Sequence, residues 1–160
     1  MPFQEIIVRE YRPNDAAALA QIYYNTIHQI NIQHYTKVQV NAWAPETSLE
    51  PSGWVTKFER TNPLVAMIGE VIVGFAEFES NGHIDCFYCH HQYIGCGVGS
   101  ALMESIDEKA VQRGIKRIFA EVSITARPFF EKQGFTVVEE QTISLRGVQF
   151  INYKMEKHLA

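Results

Sequence analysis

A glycine-rich segment between a predicted strand and a predicted helix is the part of the sequence best suited to bind a ligand. Three glycines fall within five residues of the segment Gln92–Ser100. Glycine lets the backbone turn tightly and approach a ligand closely. The N–H groups of residues 97–100 stand at the start of the helix, where unpaired donors and the helix dipole favour anions. The pattern predicts a phosphate cradle, the alternative being a connector that binds nothing.

Two other phosphate-binding motifs fit this segment less well. A Walker loop needs Lys followed by Ser or Thr after the glycines, and the sequence has neither pair there. A dinucleotide-binding loop is nearly matched, because Ser100 is small and the acidic Glu121 follows in the next strand. However, residues 90–94 separate the preceding strand from the first glycine, and the strands before them form hairpins rather than βαβ units. A dinucleotide is therefore the less favoured ligand.

The cysteines have the spacing of a haem or metal motif but not the geometry. Cys86, Cys89 and His90 match C-x-x-C-H, and His91 follows. Residues three apart on a strand point to opposite faces unless a bulge intervenes, so one haem or zinc ion would not reach both thiols. With Cys96, the count is odd and confined to eleven residues, which does not suit disulfides. We expect buried, reduced, unreactive thiols and no bound metal.

Short strands and helices must position these residues. Alternating and β-branched segments predict strands over residues 3–11, 64–68, 71–79, 83–89, 117–123, 136–145 and 148–157. Helical periodicity and capping residues predict helices over about 15–30, 37–44, 53–60 and 98–112, and a short helix after Thr125. Turn signals such as Asn81-Gly82 make neighbouring strands antiparallel. The predicted fold class is α/β (α+β), with a mixed, largely antiparallel sheet of about seven strands flanked by helices. The order is β-α-α-β-β-β-α-β-α-β-β, with two or three helices after the first strand.

Composition excludes several classes of function. The 160 residues are 46% hydrophobic and 20% charged, which is typical of one folded domain and not of a disordered chain. A formal net charge of -4 argues against a nucleic-acid partner. Apolar runs long enough to span a membrane and a leader-like N-terminus are both missing from the sequence. We therefore expect a single domain over residues 1–160, no membrane partner and a cytoplasmic location.

Two segments resemble the GNAT superfamily of acetyl-CoA-dependent N-acyltransferases. The pattern Gln92-x-x-Gly-x-Gly-x-Gly, opening a helix after three antiparallel strands, resembles motif A of that family. Residues 126–135, with the sequence ARPFFEKQGF, resemble its A-x-x-Φ-Y-x-x-x-G-F element. The predicted order of elements is similar over most of the chain, and residues 123–130 are similar to a YafP-like bacterial branch. The resemblance implies an N-acetyltransferase that uses acetyl-CoA as cosubstrate and needs no metal.

The resemblance also implies a set of cofactor-binding residues. The pyrophosphate of coenzyme A would lie on the glycine loop beside Gln92, and the pantetheine arm would pair with the strand that ends at Cys89. A backbone N–H near Cys89 would polarise the thioester carbonyl. Ser123 stands where many members have an Asn that contacts the cofactor, and Ile94 where an Arg or Lys is common. The implied set is Phe87, Tyr88, Cys89, Gln92, Gly95, Cys96, Gly97, Val98, Gly99, Ser100, Ser123, Phe129 and Phe130.

Phe130 departs from the family pattern. Its position usually holds a Tyr that protonates the departing thiolate, and Phe has no proton to donate. A thiolate with a cysteine-like pKa of about 8.5 is a fair leaving group near neutral pH. Losing the acid therefore costs about 10²-fold, at the low end of general-acid effects. Tyr153, Tyr88 or a water molecule are the alternative proton donors, and Tyr153 is our candidate catalytic residue.

A general base is the stronger requirement, because an alkylamine with a pKa of about 10.4 is almost entirely protonated at pH 7. The turn at Asn81-Gly82 predicts that Asp85 lies opposite Phe78, in an apolar place where a carboxyl group titrates at higher pH. Asp85 is our candidate base. The alternative is that it accepts backbone hydrogen bonds at the strand end. Glu77 is the reserve, although a solvated strand face explains that residue equally well.

The acceptor is expected to meet the helices over residues 15–44, which in this family cover one side of the site. Tyr24, His28 and Trp43 lie off the apolar stripe or at its edge, and they suit a small aromatic or amine acceptor. Most aromatic residues there are explained by packing. The expected partner is a small-molecule or peptide primary amine, and edge strands of the last hairpin offer a route to a homodimer.

Two functional classes follow from these observations. The first is an enzyme in which the amine attacks acetyl-CoA directly in a ternary complex. The second is a catalytically inactive domain that binds or senses acyl-CoA, which Phe130 suggests. We favour the enzyme, because departure of a thiolate tolerates loss of the acid.

Overall fold

A computed structural model describes residues 5–160, which contain seven strands and five α-helices. The strands are β1 (Ile6–Glu10), β2 (Leu64–Ile68), β3 (Val71–Phe78), β4 (His83–Cys89), β5 (Arg117–Ser123), β6 (Thr136–Leu145) and β7 (Val148–His158). The helices are α1 (Ala16–Gln29), α2 (Lys37–Trp43), α3 (Pro51–Thr61), α4 (Val98–Gln112) and α5 (Arg127–Lys132). None of these helices is long and apolar enough to cross a membrane.

The predicted elements are present with small changes at their ends. Residues 3 and 4 of the predicted first strand lie outside the described part, and the strand begins at Ile6. The third helix after β1 is real and begins at Pro51, which suits the first turn because proline needs no N–H partner there. Residues 46–49 form a 3-10 turn where a loop was expected. The order therefore has three α-helices between β1 and β2.

The strands form one sheet in the order β1-β2-β3-β4-β5-β7-β6. Among the described strands, β4 and β5 are the parallel pair and all other neighbours are antiparallel. This confirms the predicted mixed, largely antiparallel sheet. The strand order also brings β4, which precedes the glycine loop, beside β5, which precedes the second GNAT-like segment.

A helical layer covers each face of the sheet. On one face, α4 contacts β1, β2 and β3 and buries its apolar stripe of Val98, Leu102, Met103, Ile106 and Ala110. Each large side chain of this kind contributes about 1.5–3 kcal/mol when fully buried. On the other face, α1 packs against α3, β3 and β4, and the Phe58 ring of α3 lies 5.7 Å from that of Phe75. The two helical layers therefore hold β3 and β4 between them.

The hairpin between β3 and β4 has a different turn from the predicted one. Asn81-Gly82 predicts a two-residue turn with both residues at positive φ, but only Gly82 of this pair has positive φ (95°). The turn spans residues 79–82, with the Gly82 N–H donating to the Glu79 carbonyl (3.0 Å). Phe78 consequently pairs with Ile84 and not with Asp85, so the predicted register is wrong.

A β-bulge further along the hairpin then places Asp85 in an unexpected environment. Ala76 pairs with Phe87, so that Asp85 and Cys86 together oppose the single residue Glu77. A bulge of this kind bends the strand and redirects its side chains. The Asp85 side chain is 43% exposed, so the predicted apolar surroundings of this carboxylate are also wrong.

We predict that Gly74→Ala destabilises the protein, because Gly74 is where β3 meets α4 and β4. A Cβ there would lie 2.8 Å from the Val98 Cγ1 and 3.0 Å from the Tyr88 carbonyl oxygen. Crowding of a packed core typically costs about 1–3 kcal/mol. Urea unfolding measures the loss. Gly53→Ala is the control, since nothing lies within 4 Å of its Cβ position in α3, and equal stabilities of the two variants would contradict the prediction.

Candidate active site

The site is built around a gap between β4 and β5. Their parallel pairing is limited to two residue pairs, His83 with Phe119 and Ile84 with Ala120. β5 then continues alongside β7, while the bulge at Asp85-Cys86 bends β4. Residues 85–89 of β4 and 121–123 of β5 border the resulting gap, which we call the β4–β5 cleft. A cavity lies at each end of this cleft.

The first cavity, which we call the glycine-loop cavity, has a volume of about 540 Å³. Its walls include the β4 and β5 candidates Phe87, Tyr88, Cys89 and Ser123. They also include the candidates Gly95, Gly97, Val98, Gly99, Ser100, Phe129 and Phe130 from the glycine loop, α4 and α5. Gln92 and Cys96 are exposed and are not among the lining residues. The structure thus brings most of the predicted cofactor-binding set to one place.

The glycine loop presents unpaired backbone donors to this cavity. The first helical hydrogen bond of α4 runs from the Ala101 N–H to the Gly97 carbonyl (3.0 Å), so the N–H groups of residues 98–100 precede the helical ladder. Gly97 (φ 90°) is the N-cap residue of α4, and no side chain caps these donors. A Cβ at Gly99 would lie 2.9 Å from the Phe129 ring, so the ring would have to shift to admit a larger residue. This end of the cavity therefore presents unpaired backbone donors at a helix N-terminus, the kind of group that binds anions.

Lys132 was missed as a site residue in the sequence. It lines the glycine-loop cavity from the end of α5, and its neighbour Gln133 donates through Nε2 to the Ser100 hydroxyl (3.3 Å). These contacts join α5 to the glycine loop and add one cation to the cradle. The signal was available, since Lys132 lies within the second GNAT-like segment, but nothing in the sequence shows that α5 faces α4.

The backbone of β4 offers hydrogen-bonding groups to the cleft. The His90 N–H donates to the Val73 carbonyl (2.7 Å), so residues 73 and 90 are a hydrogen-bonded pair of the β3–β4 ladder. Because antiparallel pairs alternate, Phe87 and Cys89 direct their N–H and C=O groups away from β3. The Thr26 hydroxyl donates to the Cys89 carbonyl (2.7 Å). An extended ligand can pair with the remaining groups.

The second cavity, which we call the aromatic cavity, has a volume of about 300 Å³. It lies between the helical layer of α1–α3 and the β6–β7 hairpin. Both cavities are lined by Trp43, Asp85, Tyr88, Glu121 and Ser123, so the cleft joins them. A molecule in one cavity can therefore contact a molecule in the other at the level of these residues.

A half-buried lysine, Lys57, lies beside the acidic side chains of the cleft. The Lys57 Nζ lies 2.8 Å from the Glu77 Oε1, 3.0 Å from the Asp85 Oδ2 and 3.5 Å from the Cys86 Sγ. Burial alone lowers the pKa of Lys57, whereas Cys86, Glu77 and Asp85 raise it above its ordinary value. The ammonium therefore stays charged. Glu77, Asp85 and Cys86 have the donor types of a metal site, but this ammonium already contacts all three.

Glu77 cannot serve as the base from this position. Its side chain is 0% exposed, in contrast to the solvated strand face that was the alternative explanation. Its second oxygen accepts the Thr61 hydroxyl (2.5 Å), while the first faces Lys57. A buried carboxylate of this kind is stable only because it is paired. Asp85, by contrast, lines both cavities and is half exposed.

Glu121 is a second carboxylate at the cleft that sequence reasoning did not assign to this site. Its Oε1 lies 2.9 Å from the His83 Nε2, and the His83 Nδ1 lies 2.5 Å from the Glu79 Oε1. The hydrogen bond to Glu121 outweighs burial and, with Glu79, raises the pKa of His83 to about 9. The imidazolium is therefore charged at neutral pH. The alternation along β5 indicates that Glu121 is exposed, but only the sheet order places it opposite Asp85.

Three other candidates lie outside the cavities. Tyr153 packs beneath Arg127, whose Cζ is 4.6 Å from the ring centroid, and lines neither cavity. Tyr24 stacks on His28 (4.0 Å), whose Nε2 lies 2.7 Å from the Ala44 carbonyl oxygen. These two residues also line neither cavity. Of the three acceptor candidates, the structure brings Trp43 to the cleft.

The cysteines occupy three different environments. Cys86 belongs to the core cluster beneath α1 and α3, while Cys89 packs with the cluster beneath α4, so they lie on opposite faces of the sheet. Burial raises the pKa of the Cys89 thiol to about 12. Cys96 is exposed on the glycine loop, so the prediction of three buried thiols is wrong for this residue.

We predict that His83→Gln lowers stability at neutral pH and weakens its fall in alkali. The folded pKa of about 9 lies above the ordinary value of 6.5. The stabilisation is therefore fully present below pH 6.5 and is lost as the pH rises through 9. Because both carboxylate partners are partly exposed, we expect about 1 kcal/mol. Chemical denaturation at pH 7 and pH 10 measures it, with His34→Gln as an exposed control. Identical losses between the two pH values in His83→Gln and the wild type would contradict the assignment.

Comparison with known proteins gives a consistent result. A family described as "Acetyltransferase (GNAT) domain" matches residues 31–157. The chain is 33% identical over 150 residues to the uncharacterized N-acetyltransferase YafP of Escherichia coli K12, covering 94% of each protein.

Solved structures agree with these matches. A GCN5-related N-acetyltransferase from Rhodopseudomonas palustris superposes with a TM-score of 0.92 at 31% identity, over 99% of both chains. YncA of Salmonella typhimurium, a putative acetyltransferase solved with its cofactor acetyl-CoA, superposes with a TM-score of 0.73 over 97% of this chain and 94% of that one. Its identity of 18% shows a shared fold alone.

Proposed function

The chain belongs to the GNAT family of acetyltransferases, and from this premise we propose that it transfers the acetyl group of acetyl-CoA to the primary amine of a small molecule. The observation that carries the proposal is the β4–β5 cleft. An anion cradle lies at one end of this cleft and two carboxylates lie at the other, with unpaired β4 backbone groups between them. A long ligand with a phosphate group at one end and an electrophile at the other fits that order.

The cradle and β4 would hold the cosubstrate. The N–H groups of residues 97–100 and the dipole of α4 stabilise the pyrophosphate, and Lys132 adds a positive charge. The free Cys89 N–H would donate to the pantetheine arm and the Phe87 carbonyl would accept from it, as with an added strand. The Phe87 N–H lies nearer the carboxylates and donates to the thioester oxygen, which becomes negative as the amine attacks.

Asp85 acts as the general base in this proposal. It binds the ammonium group of the acceptor at the junction of the two cavities. One proton of the ammonium passes to solvent before the attack, because only the neutral amine has the lone pair that forms the C–N bond. Asp85 takes the second proton as that bond forms. The nitrogen loses its basicity once it bonds to the carbonyl carbon, so a carboxylate can accept the proton at that stage. Lys57 holds Asp85 in position through their 3.0 Å contact.

The sulfur leaves as a thiolate without help from a side-chain acid. Phe130 lines the cavity at 3% exposure and packs against Phe87 and Phe135. Its apolar ring shapes the wall and supplies no proton. Breaking the C–S bond releases coenzyme A as a thiolate with a pKa of about 8.5, which takes its proton from solvent. A purely acyl-CoA-binding domain is not favoured, because the chain belongs to a family of acetyltransferases.

We also propose that residues 1–160 act as one acetyltransferase domain, since both cavities are formed within it. β6 is an edge strand of ten residues with exposed Val137, Val138 and Ile143, so pairing along this edge is the proposed route to a homodimer. The cytoplasmic location stays a prediction from composition.

We predict that acetyl-CoA raises the melting temperature of the wild type. We expect Gly97→Ala to raise the Kd for acetyl-CoA at least tenfold and so to reduce this rise in melting temperature. At about 100 times Kd the ligand adds about 2.7 kcal/mol. Gly97 adopts φ 90°, so a Cβ distorts the cradle. Gly147→Ala is the matched control, because it introduces similar strain (φ 76°) in the β6–β7 turn. A shift with NAD alone, or with neither ligand, would refute the cradle assignment.

We predict that Asp85→Asn lowers kcat/KM for a panel of primary amines by about 10²-fold or more, because a general base typically contributes 10²–10⁴-fold. Release of the coenzyme A thiol and mass spectrometry of the acetylated amine measure the reaction. The Kd for acetyl-CoA should change little. Glu108→Gln, on the exposed face of α4, is the control. If the kcat of Asp85→Asn equals that of the wild type at every pH from 6 to 9, Asp85 is not the base.

A further inference from the structure

We propose that the acceptor is a primary ammonium compound with an aromatic body and no carboxylate, bound in the aromatic cavity. The inference rests on the proposed function, because it names the amine class which that reaction would use. The aromatic cavity meets the glycine-loop cavity at both Asp85 and Glu121. An amine in it would therefore face the thioester.

The walls of this cavity combine six aromatic side chains with polar side chains such as Asp85, Glu121 and Asn152. The Tyr23 hydroxyl donates to the Trp43 carbonyl (3.1 Å), and the Tyr35 hydroxyl donates to the Ile151 carbonyl (2.8 Å). The Trp54 indole likewise donates to a backbone carbonyl (2.8 Å). With these groups already bonded, the rings present apolar faces to a ligand. Such faces bind flat aromatic groups by stacking and attract a nearby cation.

Each side of the cleft retains a negative charge. On β4, Glu77 and Asp85 share the single cation Lys57. Across the cleft, Glu121 of β5 shares the single cation His83, at the start of β4, with Glu79 of the β3–β4 turn. Two carboxylates around one cation leave one unit of negative charge on each side. This arrangement attracts an ammonium group to the cleft and repels a carboxylate there.

Among the described residues, the lining of the cavity offers no unpaired cation to a carboxylate, although Arg146 lies close enough to act on the pKa of the lining residue Tyr23. Lys57 is the only basic side chain among the described residues that line it. Its ammonium has three N–H groups, and three atoms already surround it, on Glu77, Asp85 and Cys86. A carboxylate on the ligand would enter without a partner, which is unfavourable in a partly buried space.

One side-chain oxygen at the same cavity, on Asn152, lacks a hydrogen-bond donor. The Asn152 Oδ1 is buried and has no hydrogen-bond partner, and Asn152 lines the aromatic cavity. An ammonium or ring N–H or O–H group on the ligand would satisfy it. The volume of about 300 Å³ lies at the small end of ligand sites, which suits a single ring with a short side chain.

The test compares amines that differ by one feature. 2-Phenylethylamine and phenylalanine differ by the carboxylate, whereas n-propylamine has a methyl group where 2-phenylethylamine has the ring. With saturating acetyl-CoA, we expect kcat/KM for 2-phenylethylamine to exceed that of each of the other two by at least tenfold. Calorimetric titration of 2-phenylethylamine into the protein saturated with coenzyme A gives a readout independent of turnover.

A cavity-filling variant locates the binding site. Ile143 lines the aromatic cavity only and is 37% exposed on β6, so Ile143→Trp fills the space without disturbing the core. We expect KM for 2-phenylethylamine to rise at least tenfold and the Kd for acetyl-CoA to stay constant. Val138→Trp is the matched control, since Val138 is 55% exposed on the same strand and lines neither cavity.

The outcomes separate this inference from the proposed function. Acetyl-CoA binding with equal or faster acetylation of phenylalanine or n-propylamine would overturn the inference and leave the transferase intact. An Ile143→Trp variant with unchanged KM would overturn it as well. A protein that neither binds acetyl-CoA nor acetylates any amine would overturn both.

Discussion

The parallel ladder between β4 and β5 ends after two residue pairs, and the functional part of the molecule depends on this early end. A continued ladder would satisfy the backbone of both strands and leave no space for a ligand. β5 instead keeps full pairing with β7, while the bulge opposite Glu77 bends β4. The separation creates the cleft, joins the two cavities and exposes the N–H groups of Phe87 and Cys89. Their free hydrogen-bonding capacity is what makes an extended ligand favourable.

Opening a sheet also requires that the charges near the gap be balanced. Glu77 is fully buried, and an unpaired carboxylate there would be strongly destabilising. Lys57 compensates it and extends to Asp85, and protonated His83 links Glu79 to Glu121 on the other strand. The same two cations thus stabilise the fold and hold Asp85 and Glu121 at the cleft. Neither cation fully neutralises its pair of acids, so the cleft keeps the negative charge that favours an amine.

The cofactor end and the acceptor end of the cleft use different physics. The glycine loop presents backbone groups, and α4 approaches Phe129 so closely that a Cβ at position 99 would displace the ring. The loop therefore tolerates Ile94 in place of a basic residue, with Lys132 providing charge from another helix. The acceptor end depends on ring surfaces and on carboxylates. Phe130 belongs to the first end as a packing residue, which is consistent with a leaving group that needs no acid.

The sequence by itself determined the element order, the sheet class and the glycine loop, because periodicity, turn glycines and capping residues act over a few neighbouring positions. It also identified the family, since both motifs are local. Tertiary structure alone decided the catalytic environment. The four-residue turn at 79–82 and the bulge at Asp85-Cys86 shifted the register and exposed Asp85. The burial of Glu77 with Lys57, the arrival of Glu121 from β5, and the positions of Tyr24, His28 and Tyr153 outside the cavities depend on contacts between residues far apart in the chain. No local pattern encodes such contacts, because they arise only when α3, β3, β4 and β5 pack together.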